Sequence, residues 1–230
     1  MAIVVAVTTT RRAGAGWTTP RFFPDPHEAP ADAPLAVGGA LREDILLDAY
    51  RHGIFPWPEG PEGVVWWWSP DPRAVFEVGG VHVSRSLRRT LRREAFEVTV
   101  DHAFERVMAA CADRPGEGTW ITPRMQAAYA RLRRRGHAHS VEVWQAGRLV
   151  GGIYGVAVGG AFCGESMFHR ETDASKVALV RLDRHLAARG FTLFDAQLPT
   201  PHLESMGARA LPRSEYLARL AAARDLPILF

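Results

Sequence analysis

Between positions 20 and 72 the chain places ten prolines: Pro20, Pro24, Pro26, Pro30, Pro34, Pro56, Pro58, Pro61, Pro70 and Pro72. Each fixes φ and removes a backbone donor, so only short elements fit between them. One helix is allowed, Leu41 to His52, where Ile45, Leu46, Ala49 and Tyr50 form an apolar stripe and Gly53 stands at the C-cap. At roughly 150 residues per domain, a chain of 230 residues is one full domain plus a small accessory one. The proline-rich stretch defines the small one, residues 1–62, ahead of a larger domain over residues 63–230.

In the larger part the punctuation becomes regular. Ser84 caps a helix that reaches Arg93. Phe96, Val98 and Val100 alternate as a strand, and Asp101 opens a helix containing Phe104, Val107 and Met108. Thr122 and Pro123 pair an N-cap with a first-turn proline for a helix ending at Gly136. Val141–Trp144 and Leu149–Ala157 read as strands joined across Ala146–Gly147, and Ala161–Phe168 follows as a third. Asp173–Arg189 is helical, with Ala178, Leu179, Leu182 and Leu186 on one side. A strand Phe191–Phe194 and a helix Ser214–Arg224 complete the pattern. Antiparallel strands followed by helix and strand give an α+β sheet domain.

Hydrophobic content of 47% against 23% charged residues excludes a disordered or fibrous chain. The aliphatic run Ala2–Val7 is too short to span a bilayer. Arg11 and Arg12 follow it, whereas a secretory signal carries its positive charge in front. Cys111 and Cys163 alone make no disulfide framework. A cytoplasmic protein is expected.

The net charge of +3 conceals an uneven distribution, with a single lysine, Lys176, among 28 basic residues. Arg85, Arg88, Arg89, Arg92 and Arg93 fall within an arc of about 140° on one helix face. Leu87 and Leu91 lie opposite, and no acid interrupts before Glu94. Solvated faces usually alternate charge signs, so five unpaired guanidiniums suit a phosphate backbone instead. Arg131, Arg133, Arg134 and Arg135 sit at a helix C-terminus, where compensation of the macrodipole accounts for them.

Four of seven tryptophans, Trp57, Trp66, Trp67 and Trp68, lie within twelve residues. They form either a satellite core or the walls of an apolar pocket able to stack an adenine. Glu165 is a carboxylate set between Phe162, Cys163, Gly164, Ser166, Met167 and Phe168, and burying a lone charge is costly unless it is paired or useful. Asp195 ends another strand, with Gln197 two residues on and on the same face if the strand continues. Such carboxylates are either structural caps or candidates for proton transfer and cation binding. Nine histidines form no HExxH and no Cys–His cluster, so no metal site is indicated. Arg11 to Gly16 imitates a pyrophosphate-binding turn, but Trp17-Thr18-Thr19-Pro20 cannot start the helix it needs.

Six blocks together resemble the bacterial leucyl/phenylalanyl-tRNA–protein transferases. They are Tyr50 to Trp57, Trp67 to Arg73, Gly118 to Thr122, Gly136 to Trp144, Phe162 to Phe168 and Asp195 to Gln197. The resemblance implies transfer of Leu or Phe, and less well Met, from aminoacyl-tRNA to an N-terminal Arg or Lys of a protein, marking it for degradation. It implies a small N-terminal domain joined to a GNAT-like acyltransferase domain with a mixed, largely antiparallel sheet flanked by helices, using no metal and no coenzyme A. It assigns Arg85, Arg89, Arg92 and Arg93 to tRNA, and Trp57, Trp120, Phe162 and Met167, with Ser166, to the aminoacyl and adenosine pocket. Glu165, Asp195 and Gln197 take the catalytic positions, with Asp195 hydrogen-bonded to Gln197 on the path of the amine's proton. His169 and Asp173 depart from the family pattern. A monomer is expected. A coenzyme A-dependent N-acetyltransferase would share the fold, and a non-catalytic tRNA-binding module would explain the arginines and tryptophans but not the carboxylates.

Overall fold

The computed structural model describes residues 18–59, 63–114, 116 and 118–230. The Ala2–Val7 run, the Arg11–Gly16 turn and Pro61 lie outside the described residues. No described helix is long and apolar enough to cross a membrane.

The prolines shape a three-stranded antiparallel sheet. β1 (Ala36–Val37) is followed by α1 (Glu43–Arg51), then β2 (Phe55–Glu59) and β3 (Val64–Trp68), in the order β1-β3-β2. β2 carries Pro56 and Pro58 and is an edge strand, the place in a sheet where a missing donor is tolerated. Positions 62 and 63, where the sequence divides the chain, fall between β2 and β3 of this sheet.

The remaining elements are β4 (Arg73–Phe76), α2 (Arg85–Arg92), β5 (Glu97–Val100), α3 (Phe104–Ala112), α4 (Pro123–Arg134), β6 (Ala138–Gln145), β7 (Arg148–Val158) and β8 (Ala161–His169). They continue with α5 (Ala174–Arg189), β9 (Leu193–Gln197), α6 (Pro201–Ser205), β10 (Arg209–Leu211) and α7 (Arg213–Ala223). Seven strands form one sheet in the order β10-β4-β9-β8-β7-β6-β5, in which only β8 and β9 run parallel. This is the α+β class read from the sequence, with a mixed and largely antiparallel sheet. Residues of α1, α3, α4 and α7, including Tyr50, Met108, Tyr129 and Leu217, form one core cluster. Val177, Leu179, Leu182 and Leu186 of α5 join Phe76, Ile153 and Phe194 in the other.

Besides α1, which starts at Glu43 and not at Leu41, two elements begin later than periodicity suggests. Asp101 adopts φ +62° outside the helix, where its carboxylate accepts from Ser140 N at 3.0 Å and pairs with His139. The buried carboxylate of Glu142 instead accepts from the amides of His102 and Ala103, so α3 starts at Phe104. The strand expected at Phe191–Phe194 runs from Leu193 to Gln197, because the amides of Thr192 and Leu193 both turn to Gly160 O.

β4 is fastened to β9 by a buried ion pair. Arg73 Nε and Nη2 donate to Asp195 Oδ1 and Oδ2 at 2.8 and 2.6 Å, and Nη1 donates to Gly53 O at 3.0 Å. The guanidinium lies between the rings of Phe55 and Tyr216. Gly53 has φ +73°, and a Cβ there would meet the Tyr216 ring at 2.7 Å, so the turn admits only glycine. Removing one partner of such a pair strands a buried charge. Arg73→Met should cost about 3–5 kcal/mol in urea unfolding, and adding Asp195→Leu should restore most of it. A double variant as unstable as the single one would show that the pair is not the source of the loss.

Candidate active site

β8 and β9 pair over only three positions, Ala161–Cys163 against Leu193–Asp195. Beyond them β8 stays with β7 and β9 with β4, so the sheet parts and leaves a cleft of about 500 Å3. A bulge sits on each side of the parting. Ser166 and Gly164 stand opposite Tyr154 and Gly155, making Glu165 the extra residue of β8. Asp195 and Gln197 stand opposite Val75 and Ala74, making Ala196 the extra residue of β9. Bulges bend a strand and re-aim its side chains. A Cβ on Gly155 would lie 2.3 Å from Cys163 O, so the first bulge closes only over glycine.

The bulges bring Glu165 and Gln197 together. Gln197 Nε2 donates to Glu165 Oε1 at 2.7 Å, Tyr50 OH donates to the same oxygen at 2.7 Å, and Tyr129 OH donates to Oε2 at 3.0 Å. Burial raises the Glu165 pKa to about 7, against the pull of these three donors. Burial, then the Glu165 charge, push both tyrosines well above the usual phenol range, so they remain proton-bearing donors. Sequence reasoning placed Tyr50 in a helix stripe and in one family-like block without a role at the site, and did not single out Tyr129. The signal was there, since a tyrosine on the buried face of a helix needs a partner for its hydroxyl.

Asp195 is displaced from the role expected of it. Its carboxylate is fully buried and accepts from Arg73 Nε, Arg73 Nη2, Tyr216 OH and the Gln197 amide. Four donors occupy both oxygens, and Asp195 does not line the cleft, whereas Ala196 and Gln197 do. The alternation that would put Asp195 and Gln197 on one face is broken by the bulge at Ala196 and by φ +64° at Gln197.

Of the expected pocket residues, Trp57, Trp120, Ser166 and Met167 line the cleft. The two tryptophan rings stack with centroids 5.0 Å apart. Phe162 does not line it. It pairs with Phe194 in the parallel register, one step away from the parting, and its ring packs edge-on against Phe194 and stacks on Phe230. Phe194 takes its place, with Phe76, Ile153, Leu179 and Leu203 completing the apolar wall. Arg114 stands at the lip, its Nη2 3.5 Å from Ser166 Oγ.

The arginine face is intact. Ser84 Oγ caps α2 at Leu87 N, Leu87 is buried, and Arg85, Arg88, Arg89, Arg92 and Arg93 are exposed. Among the described residues none of the five forms an ion pair with an acid. The second arginine run is spent locally: Arg131 donates to Leu41 O, and Arg133 and Arg135 pair with Asp101 and Glu43.

Residues 75–221 match the family described as leucyl/phenylalanyl-tRNA protein transferase, and residues 39–71 match that family's N-terminal domain. The chain is 53% identical over 207 residues to the leucyl/phenylalanyl-tRNA–protein transferase of Shewanella oneidensis, covering 88% of this chain and 87% of that one. It is 55% identical over 217 residues to the protein of the same name from Thiobacillus denitrificans, covering 93% and 95%. Among solved structures it is similar to a ribosomal-protein-alanine N-acetyltransferase from Brucella melitensis, with a TM-score of 0.37 and 17% identity over 47% of this chain and 82% of that one. The sequence relatives make the chain a transferase enzyme. It belongs to the leucyl/phenylalanyl-tRNA protein transferase family.

The raised pKa of Glu165 has a measurable sign. An unfolded carboxyl ionises near 4.5 and the folded one near 7, so between these values the native state holds more protons. Stability therefore falls as pH rises through that window, and the full cost is present above pH 7. Relative to wild type, Glu165→Gln should gain about 3 kcal/mol between pH 4 and pH 8 in urea unfolding. Parallel pH curves for the two proteins would mean that Glu165 does not titrate there.

Proposed function

We propose that this chain is an aminoacyltransferase that moves Leu or Phe, and less well Met, from aminoacyl-tRNA to the α-amine of an N-terminal Arg or Lys, marking the acceptor protein for degradation. It acts as a monomer in the cytoplasm. The observation that carries the reading is Glu165, an acid tuned to neutrality and held by three donors beside an apolar wall. The wall of Phe76, Ile153, Met167, Leu179 and Phe194 suits a Leu or Phe side chain, and Trp57 and Trp120 offer faces for the terminal adenine.

The ester of aminoacyl-tRNA is already activated, so the site has three tasks: to position a neutral amine, support the developing oxyanion and move one proton. The amine nitrogen bonds to the ester carbonyl, the carbon–oxygen bond to the ribose breaks, and the freed ribose oxygen ends with a proton. Glu165 holds the cationic end of the acceptor. Gln197 spends its Nε2 on Glu165, which leaves Oε1 to accept from the attacking amine. Asp195 acts through Gln197, whose amide it fixes at 2.8 Å, and Arg73 holds Asp195 in turn.

Incubation with Leu-tRNA and a peptide beginning with Arg should yield the peptide lengthened by leucine, and a peptide beginning with Ala should yield little. Absence of product with every aminoacyl-tRNA, or acetylation of the peptide from acetyl-coenzyme A, would overturn the reading.

The exposed arginines of α2 engage phosphates. Arg89→Ala combined with Arg92→Ala should weaken aminoacyl-tRNA binding and make its salt dependence shallower by about two units of slope or somewhat less. A loss of affinity at unchanged slope would show that these arginines shape the fold and do not meet phosphate.

A further inference from the structure

Lys176 is the single lysine of a chain that uses arginine at every other basic position. It sits in the first turn of α5, where the macrodipole disfavours a cation, and no acid is present in that turn to offset it. Its neighbour Asp173 holds the N-cap position in a left-handed conformation, φ +67°, and makes no capping hydrogen bond. The carboxylate is used otherwise. Oδ1 pairs with Lys176 Nζ at 3.3 Å, and Oδ2 accepts from Thr90 Oγ1 of α2 at 2.9 Å. The left-handed N-cap and a cation in the first turn work against α5, and the Asp173–Lys176 pair offsets part of that cost. Together they hold one ammonium in place beside the helix that carries the arginine face.

Lys176 does not itself line the cleft, but its neighbours do. Leu179, one turn further along α5, lines the cleft wall, and so does His202 of α6. His169 ends β8 two residues beyond Met167 and therefore on its side of the strand. Partial burial, then the nearby Lys176 and His169, push the His202 pKa down, so the three side chains share one neighbourhood. An ammonium has three donors, and Asp173 engages one. An arginine could not replace it there on equal terms, because its planar fork needs more room than a compact point charge.

We propose that Lys176, with His169 and His202, seats a phosphodiester of the single-stranded 3′ end of aminoacyl-tRNA on its way from the arginine face of α2 into the cleft. The proposal rests on the tRNA-dependent reading above. Asp173 is the positioning residue, since it orients the ammonium and ties it to α2.

Two measurements test it. The first compares two donors, phenylalanine esterified to the trinucleotide CpCpA and to adenosine, which carries no phosphate. Lys176→Met should raise the ratio of KM for the trinucleotide ester to KM for the adenosine ester about tenfold, the loss of one charge-assisted hydrogen bond. An unchanged ratio overturns the seat, whether both donors suffer equally or neither does. A wild-type protein that uses no aminoacyl donor would instead sink the transferase reading itself. The second uses the unaltered protein and the fact that Lys176 is its one ε-amine. Reductive methylation of Lys176, read by mass spectrometry of its peptide, should slow several-fold with CpCpA carrying phenylalanine as a stable 3′-amide. The matching adenosine amide should not protect it. Equal protection by both, or by neither, overturns the proposal.

Discussion

The structure turns on the buried pair Arg73–Asp195. The guanidinium reaches back to the Gly53 turn of the small unit, is faced by Phe55 and Tyr216, and clamps the carboxylate from which the Gln197 amide hangs. One ion pair thereby joins the turn after α1, strand β4, strand β9 and helix α7. A charge this deep is tolerable only with its partner and its remaining donors satisfied, and here both carboxylate oxygens are filled. The interaction serves alignment more than stability, because apolar groups of similar volume could fill the same space.

Around that clamp the site is made by departures from regular sheet geometry. Three residues of parallel pairing hold β8 to β9, and the strands then follow different neighbours. Each carries a bulge at the point of parting, and the bulges aim Glu165 and Gln197 at one another across the gap. The environment of Glu165 follows from this placement. The cleft removes it from water and pushes its pKa up, while three donors keep the charged form accessible. An acid poised near neutrality can hold a cation at one moment and share its proton at another.

How much of this the sequence disclosed depends on the range of the interaction. The arginine face of α2 was readable because helical period alone determines it, and the prolines announced short elements because their restraint is local. The positions of Phe162 and Asp195 were not readable. Phe162 was assigned only by the family resemblance, and Asp195 was set beside Gln197 by strand alternation, which fails where β9 carries an extra residue at Ala196, as β8 does at Glu165. The tyrosine pair behind Glu165 was hidden for a related reason. Tyr50 and Tyr129 are 79 residues apart and meet only when α1 and α4 pack together. Asp101 looked like a helix start because the carboxylate that holds the segment ahead of α3, Glu142, lies 41 residues on, in β6.

The position of β4 in the sheet constrains how the molecule comes into being. Its neighbours are β9 and β10, and Arg73 is separated from Asp195 by 122 residues. A growing chain emerges from the ribosome N-terminus first, at about 5–20 residues per second. The guanidinium must therefore wait in solvent for many seconds before its counter-charge exists, since it cannot be buried alone. The half of the sheet formed by β5 to β8 can assemble meanwhile, but β4 is left without a hydrogen-bonding neighbour. Insertion of β9 between β4 and β8 is then the step that closes the sheet, sets Gln197 against Glu165 and completes the cleft. A nascent or prematurely ended chain is thus kept from chemistry by topology alone.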